Sequence, residues 1–148
     1  MNFKNSLLSD MKGALKAKDS LKLNTLRGLV SDIKNREIDI RRELEDDEII
    51  SIITTQIKKR KEAAVFFKKG GRSDLYEKEN QEMTILQEYL PEQASEESLR
   101  RRIQEVIVEL GVVEIKDHGK VMKKVIPEFK GRADNGQIKK LVAECLGQ

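Results

Sequence analysis

The residues able to do covalent or acid–base work are few and scattered. Cys145 is the single thiol and His118 the single imidazole. Nucleophilic catalysis needs a nucleophile held beside a base. Cys145 instead falls on the apolar stripe Ile138, Leu141, Val142, Cys145, Leu146, where it reads as a small buried hydrophobe. His118 follows Asp117 at a helix start. An acid–base role is conceivable there, but no nucleophile accompanies it in sequence, and a surface or capping position is the simpler reading. No G-x-S-x-G turn supports a serine nucleophile. Gly70-Gly71-Arg72-Ser73 lacks the spacing and the following Lys-Ser/Thr of a phosphate loop, and reads as a helix connector. Glu43, Glu45, Asp46, Asp47 and Glu48 lack the spacing and central glycine of a calcium loop. One cysteine and one histidine fall short of the four ligands of a structural zinc site. No catalytic constellation, metal site or cofactor is expected.

Cations are more plentiful. Lys58-Lys59-Arg60-Lys61 continues to Lys68, Lys69 and Arg72. Consecutive helical residues point in different directions, so this run covers most of a helix circumference and some of it must flank the buried face. Arg100-Arg101-Arg102 does the same. The tail differs. From Gly111 to Gln148 it holds eight basic and five acidic residues, a balance of +3 that equals the whole chain's net charge. Lys116, Lys120 and Lys123/Lys124 recur at helical spacing, opposite or beside the Val121/Val125 face, and Lys130 and Arg132 extend that side from a loop. Lysine suits phosphate as a point charge, and arginine adds a bidentate fork. These six are the candidate nucleic-acid contacts; the alternative is a solvated face. With 4% aromatic residues, base stacking is not expected to dominate.

The elements that must carry these residues are helical almost end to end, since apolar positions recur at 3.6-residue spacing. One stripe is Leu7, Leu8, Met11, Leu15; another is Leu23, Leu26, Leu29, Val30, Ile33. Ile49, Ile53, Ile57, Ala64, Phe67 make a third, and Leu75, Met83, Leu86, Leu90 a fourth. Asp46 or Asp47 is the expected N-cap of the third helix, with Gly70-Gly71 its stop. Leu90-Pro91 marks a boundary, because proline disfavours helical geometry at the residue before it. Ser95 caps the next helix, with Glu96 and Glu97 in its first turn and Gly111 ending it. A helix starting within Glu114 to Asp117 buries Val121, Met122 and Val125, with a kink or early end at Pro127. Asp134 and Gln137 have capping-box spacing before the last helix. The expected architecture is all-α: a long-helix hairpin assembly over 1–91 and a small three-helix module over 95–148.

Charged residues make up 37% of the 148 residues, against a usual ~25%, so many faces are solvated. No run of ~18 apolar residues could span a membrane. One cysteine and no apolar leader predict a soluble, cytoplasmic chain.

Leu90-Pro91-Glu92-Gln93 before Ser95-Glu96-Glu97, then D-x-G-K-V-M at Asp117–Met122, then Lys130-Gly131-Arg132-Ala133-Asp134, resemble the YqeY-like proteins along the whole chain. The tail is also similar to the C-terminal domain of GatB, a subunit of the glutamine-dependent amidotransferase acting on misacylated tRNA. The resemblance implies two helical domains and the family label of carbon–nitrogen ligase with glutamine as amido donor. It also implies tRNA as a partner, alongside a tRNA amidotransferase or aminoacyl-tRNA synthetase. In the amidotransferase the tail domain helps hold tRNA, while catalysis resides in parts that nothing here resembles. Gly119, Lys120, Lys130, Gly131, Arg132 and Asp134 match the family pattern. Lys120, Lys130 and Arg132 are then the phosphate ligands; Gly119 admits a neighbouring helix, Gly131 turns the chain and Asp134 caps. Two positions depart: Glu114 stands where the family often has serine or asparagine, and Asn135 where it often has glycine.

Overall fold

The computed structural model describes residues 3–112 and 114–147, and among them the fold is all-α, with no strand. Contacts divide the chain into two compact units, Met1–Leu90 and Pro91–Gln148.

The first unit contains α1 (Phe3–Lys16), α2 (Ser20–Ile40), α3 (Asp46–Lys69) and α4 (Ser73–Gln87). α1 packs on α2, α3 packs along α4, and α2 touches both α3 and α4. Short breaks set these reversals. The Asp19 carboxylate accepts the Lys22 N–H at 3.1 Å and starts α2, satisfying one of the amides a helix leaves unpaired at its beginning. Arg41 ends α2 in the left-handed region, at φ 57°. Gly71, at φ 73°, turns the chain between α3 and α4 without the penalty a side chain would bring. Leu7, Leu26, Leu29, Ile33, Ile49, Ile53 and Leu86 form the fully buried core.

Two expectations for this unit need correction. Leu8 and Leu15 are 42% and 59% exposed, and Ala14 is buried beside Leu7 instead. The α1 stripe therefore runs Leu7, Met11, Ala14, at i, i+4, i+7. The N-cap of α3 is Glu45, not Asp46 or Asp47. Its backbone N–H donates to the Glu48 carboxylate at 3.2 Å. The preceding Leu44 N–H donates to Glu37 at 2.8 Å, which anchors the chain one residue earlier than side-chain preference alone indicates. That bond, with the ammonium of Lys4 at 2.9 Å, holds the Glu37 carboxyl below its ordinary value.

The second unit contains α5 (Glu96–Leu110), a 3₁₀ turn (Ile115–Asp117), α6 (His118–Glu128) and α7 (Asn135–Leu146). Its three α-helices all pack on one another around Leu99, Ile103, Val106, Val121, Val125, Ile138 and Val142. The Ser95 hydroxyl accepts the Ser98 N–H at 3.1 Å, and Gly111 ends α5 at φ 66°. Pro127 lies in the last turn of α6, which ends one residue later. Asp134 occupies the N-cap position of α7, yet its side chain makes no capping bond. The carboxylate lies beside Gly136, where an added Cβ would sit 3.0 Å from Oδ2, and the expected box with Gln137 lacks its Asp134 bond.

Candidate nucleic-acid interface

α6 positions the candidate cations. It is held to the core by Val121 and Val125, both fully buried. At 3.6 residues per turn each residue advances about 100° around the helix. Lys120 and Lys123 then fall within about 60° of each other on the side away from the valines, and Lys116 precedes them on the 3₁₀ turn. All three are exposed. Gly119 borders this line. It is exposed, and an added Cβ would meet nothing within 4 Å. No helix approaches it, contrary to expectation, so its missing side chain leaves an open spot beside the lysines.

The remaining cations diverge. Lys124 turns toward α5 and pairs with Glu109 at 2.9 Å. Lys130 is exposed in the loop before α7. Arg132 folds back: its Nε donates to the Glu92 carbonyl at 3.1 Å, and its guanidinium lies 5.5 Å from the centre of the Phe129 ring. The same loop binds the lead-in to α5 twice more. The Ala94 N–H donates to the Arg132 carbonyl at 2.8 Å, and the Gln93 amide donates to the Gly131 carbonyl at 2.7 Å. Gly131 makes this possible by adopting φ 75°, a conformation other residues enter only with strain.

Acids temper the charge. Lys116 pairs with Glu114 at 2.9 Å and Lys120 with Asp117 at 3.5 Å. The Lys116–Glu114 pair is solvent-exposed and therefore weak, so a stronger anion can displace it, whereas Asp117 is half-buried and only the Lys120 end of its pair is open to solvent. Behind the lysine line, Arg102 gathers three carboxylates. It binds Glu128 at 2.9 Å, and Glu105 and Glu109 each at 3.1 Å. Those hydrogen bonds push the guanidinium further above its ordinary value and hold Glu128 below its own, while Lys124 first and Arg102 second hold Glu109 down. The result is a junction between α5 and α6 where two cations meet three carboxylates, while Lys116, Lys120 and Lys123 stay exposed.

Sequence reasoning missed the Arg102 hub and the bonds joining Glu92 and Gln93 to the loop at Gly131 and Arg132. The first was legible in the i+3 and i+7 spacing of Glu105 and Glu109. The second was signalled only by Leu-Pro-Glu-Gln and Lys-Gly-Arg-Ala-Asp belonging to one pattern.

The candidate reactive groups have structural surroundings. The His118 Nε2 lies 3.1 Å from the Lys139 carbonyl, tying the start of α6 to α7. Cys145 is half-buried against the core of its unit. A groove of about 490 Å³ lies between α2 and α3, lined by groups of both signs including Asp32, Arg36, Asp39 and Lys59. It holds neither the thiol nor the imidazole. Its Ser51 and Thr55 hydroxyls donate to backbone carbonyls one turn back, at 3.2 and 3.0 Å.

Comparison with known proteins adds the following. A family model described as "Yqey-like protein" matches residues 4–146. Altered inheritance of mitochondria protein 41, mitochondrial, of Lachancea thermotolerans is 37% identical over 71% of this chain and 58% of that protein. Its counterpart in Kluyveromyces lactis is 38% identical over the same shares. In Pyrenophora tritici-repentis the protein of that name is 30% identical over 95% of this chain and 79% of its own length. The matches to the two yeast proteins thus span little more than half of their length. The cytoplasmic expectation is overturned, because these relatives are named as mitochondrial. A single cysteine fits any reducing compartment and does not single out the cytoplasm.

Proposed function

The chain belongs to the YqeY-like protein family, and from that premise we propose that its second unit is a non-catalytic tRNA-binding module working beside a tRNA amidotransferase or an aminoacyl-tRNA synthetase. The observation that carries the reading is the exposed set Lys120 and Lys123 on α6 with Lys116 on the 3₁₀ turn before it, bordered by the bare surface at Gly119. The likeness of the tail to the tRNA-holding domain of GatB supports the same assignment. Three ammonium groups follow one another along the 3₁₀ turn and the first turns of α6, an extended set that suits the sugar–phosphate backbone better than a single small anion. Glu114 releases Lys116 to phosphate, because an exposed carboxylate contact is easily exchanged, and the exposed Lys120 ammonium reaches outward from the half-buried Asp117. The amidotransferase chemistry of the family label belongs, on this reading, to the partner enzyme.

Fluorescence anisotropy of labelled tRNA against the full chain, over a salt series, tests this. Each neutralised phosphate releases condensed counterions, so log K falls with log salt at ~0.9 per duplex contact. Lys120→Gln lowers that slope by about 1, and Lys120→Glu with Lys123→Glu abolishes most binding at low salt. Binding that ignores salt, or survives the double charge reversal unchanged, refutes the proposal. Ammonia release from glutamine by the purified chain alone would instead establish an enzyme.

A further inference from the structure

The basic run on α3 is resolved by the fold into two faces. Arg60 turns inward and pairs with Glu79, at 3.3 Å, and with the buried Glu82. Lys58, Lys59 and Lys69 stay on the exposed surface, and none of them forms an ion pair among the described residues. Counting about 100° per residue, these lysines share the outward face with Thr55, Glu62, Val65 and Phe66. Phe66 is 73% exposed and Val65 53%. Phe66 thus sets an aromatic ring, with Val65 beside it, among the exposed lysines of this face. Its ring is also braced: Phe67, half-buried, meets it edge-on at 5.9 Å between centroids and an interplanar angle of 68°. Such edge-to-face pairs are favourable, so one face of the Phe66 ring is presented to solvent in a defined orientation.

From this we infer that the outer face of α3, with Phe66 between Lys59 and Lys69, is a docking surface for single-stranded RNA. Three unpaired ammonium groups supply the backbone contacts, and the braced ring supplies a platform on which an unpaired base stacks. The combination of a cationic track with an aromatic platform is the physical solution for single strands, whose bases are free to leave their neighbours. A duplex offers the same phosphates but no exposed base face. A lipid surface fits less well, because Glu62 lies one turn from Phe66 on the same face and would be carried into the apolar layer with it. A single strand tolerates that carboxylate, which stays in solvent and can accept from a base N–H. The surface lies in the first unit, so it is independent of the lysine line on α6.

The experiment uses the full chain with three probes: a fluorescein-labelled single-stranded oligouridylate, a duplex RNA of the same length, and phosphatidylserine vesicles. Phe66→Ala and Phe66→Leu are expected to weaken oligouridylate binding about tenfold, within the range for loss of one stacked base, while Phe66→Tyr retains it. Duplex binding should change less than about twofold in all three. Lys59→Glu with Lys69→Glu should weaken both RNAs and flatten the salt dependence. Because Phe66 is exposed, circular dichroism should show each variant folded like the parent. Oligouridylate binding unchanged in Phe66→Ala, or fully retained in Phe66→Leu, overturns the inference, as does a Phe66 effect seen on vesicles alone. Lys120→Glu with Lys123→Glu, run in parallel, separates the two surfaces. A loss confined to that variant refutes the α3 site and leaves the α6 reading standing. A loss confined to the Phe66 variants does the reverse.

Discussion

Replacing Arg132 by lysine keeps the positive charge and removes the fork that grips Glu92. In the native chain the Nε donates to the Glu92 carbonyl at 3.1 Å, and the guanidinium stacks 5.5 Å from the Phe129 ring centre. A hydrogen bond from a charged group is worth ~1.5–3 kcal/mol net where buried. Arg132 is half-buried, so the low end applies. An exposed cation–π contact adds ~0.5–1 kcal/mol, part of which lysine retains. The expected loss for Arg132→Lys is therefore about 1–2 kcal/mol, concentrated where the loop holds the lead-in to α5. The reporter is the Ala94 amide, which donates to the Arg132 carbonyl at 2.8 Å. Its hydrogen exchange should accelerate about tenfold for each ~1.4 kcal/mol lost, whereas amides in the middle of α5 should hold their protection. The salt slope of tRNA binding should stay at its parent value in Arg132→Lys and fall in Arg132→Gln only if the side chain also reaches a phosphate. Unchanged Ala94 exchange in both variants would refute the clamp. An equal loss of protection throughout α5 would show that the variant unfolds the unit rather than opening one contact.

The other consequences concern the core and one carboxylate. Leu26→Ala and Ile103→Ala, each at a fully buried position, should lower stability by ~2–5 kcal/mol, read as a drop in urea midpoint with an unchanged slope; a loss under ~1 kcal/mol would contradict the packing described. The Glu48 carboxyl is held down to about 2 by its hydrogen bonds from Arg42 and the Glu45 backbone, against an ordinary 4.5. A depressed carboxylate stabilises the fold above its unfolded pKa and loses that contribution as pH falls through the folded one, so the window is pH 4.5 down to about 2. NMR titration should place the Glu48 midpoint near the lower limit, and Arg42→Ala should return it most of the way to the ordinary value.

Much of the secondary structure was legible in residue order, because the forces that set it act over one or two turns. Ser95 caps α5, Gly111 ends it and Pro127 closes α6 because their backbone chemistry acts on immediate neighbours. Apolar spacing likewise identified Leu26, Leu29 and Ile33, or Ile138, Leu141 and Val142, as buried faces. What depended on a partner far along the chain was not legible. Ala14 lies inside while Leu15 lies in solvent, because the position of α2 decides which edge of the α1 stripe is covered. Glu45 displaced Asp46 as a cap once Glu37, seven residues before Leu44, took the Leu44 amide.

The candidate site divides in the same way. Helical spacing alone put Lys120 and Lys123 on one side of α6, since direction around a helix follows from counting, while Lys116 fell on the 3₁₀ turn before it. Their neighbours' ends were another matter: Lys124 met Glu109, Arg132 met Glu92, and Arg60 met Glu79 and Glu82. In each case a charge that looks outward in sequence was claimed by an acid or carbonyl brought near by folding. Phe66 is the converse, an apolar residue next to the periodic stripe that packing left bare. Local order therefore determined the helices and the directions of their side chains. The packing of one helix on another decided which cations remain available, because a long side chain goes to whichever opposite charge or oxygen the fold sets within its reach.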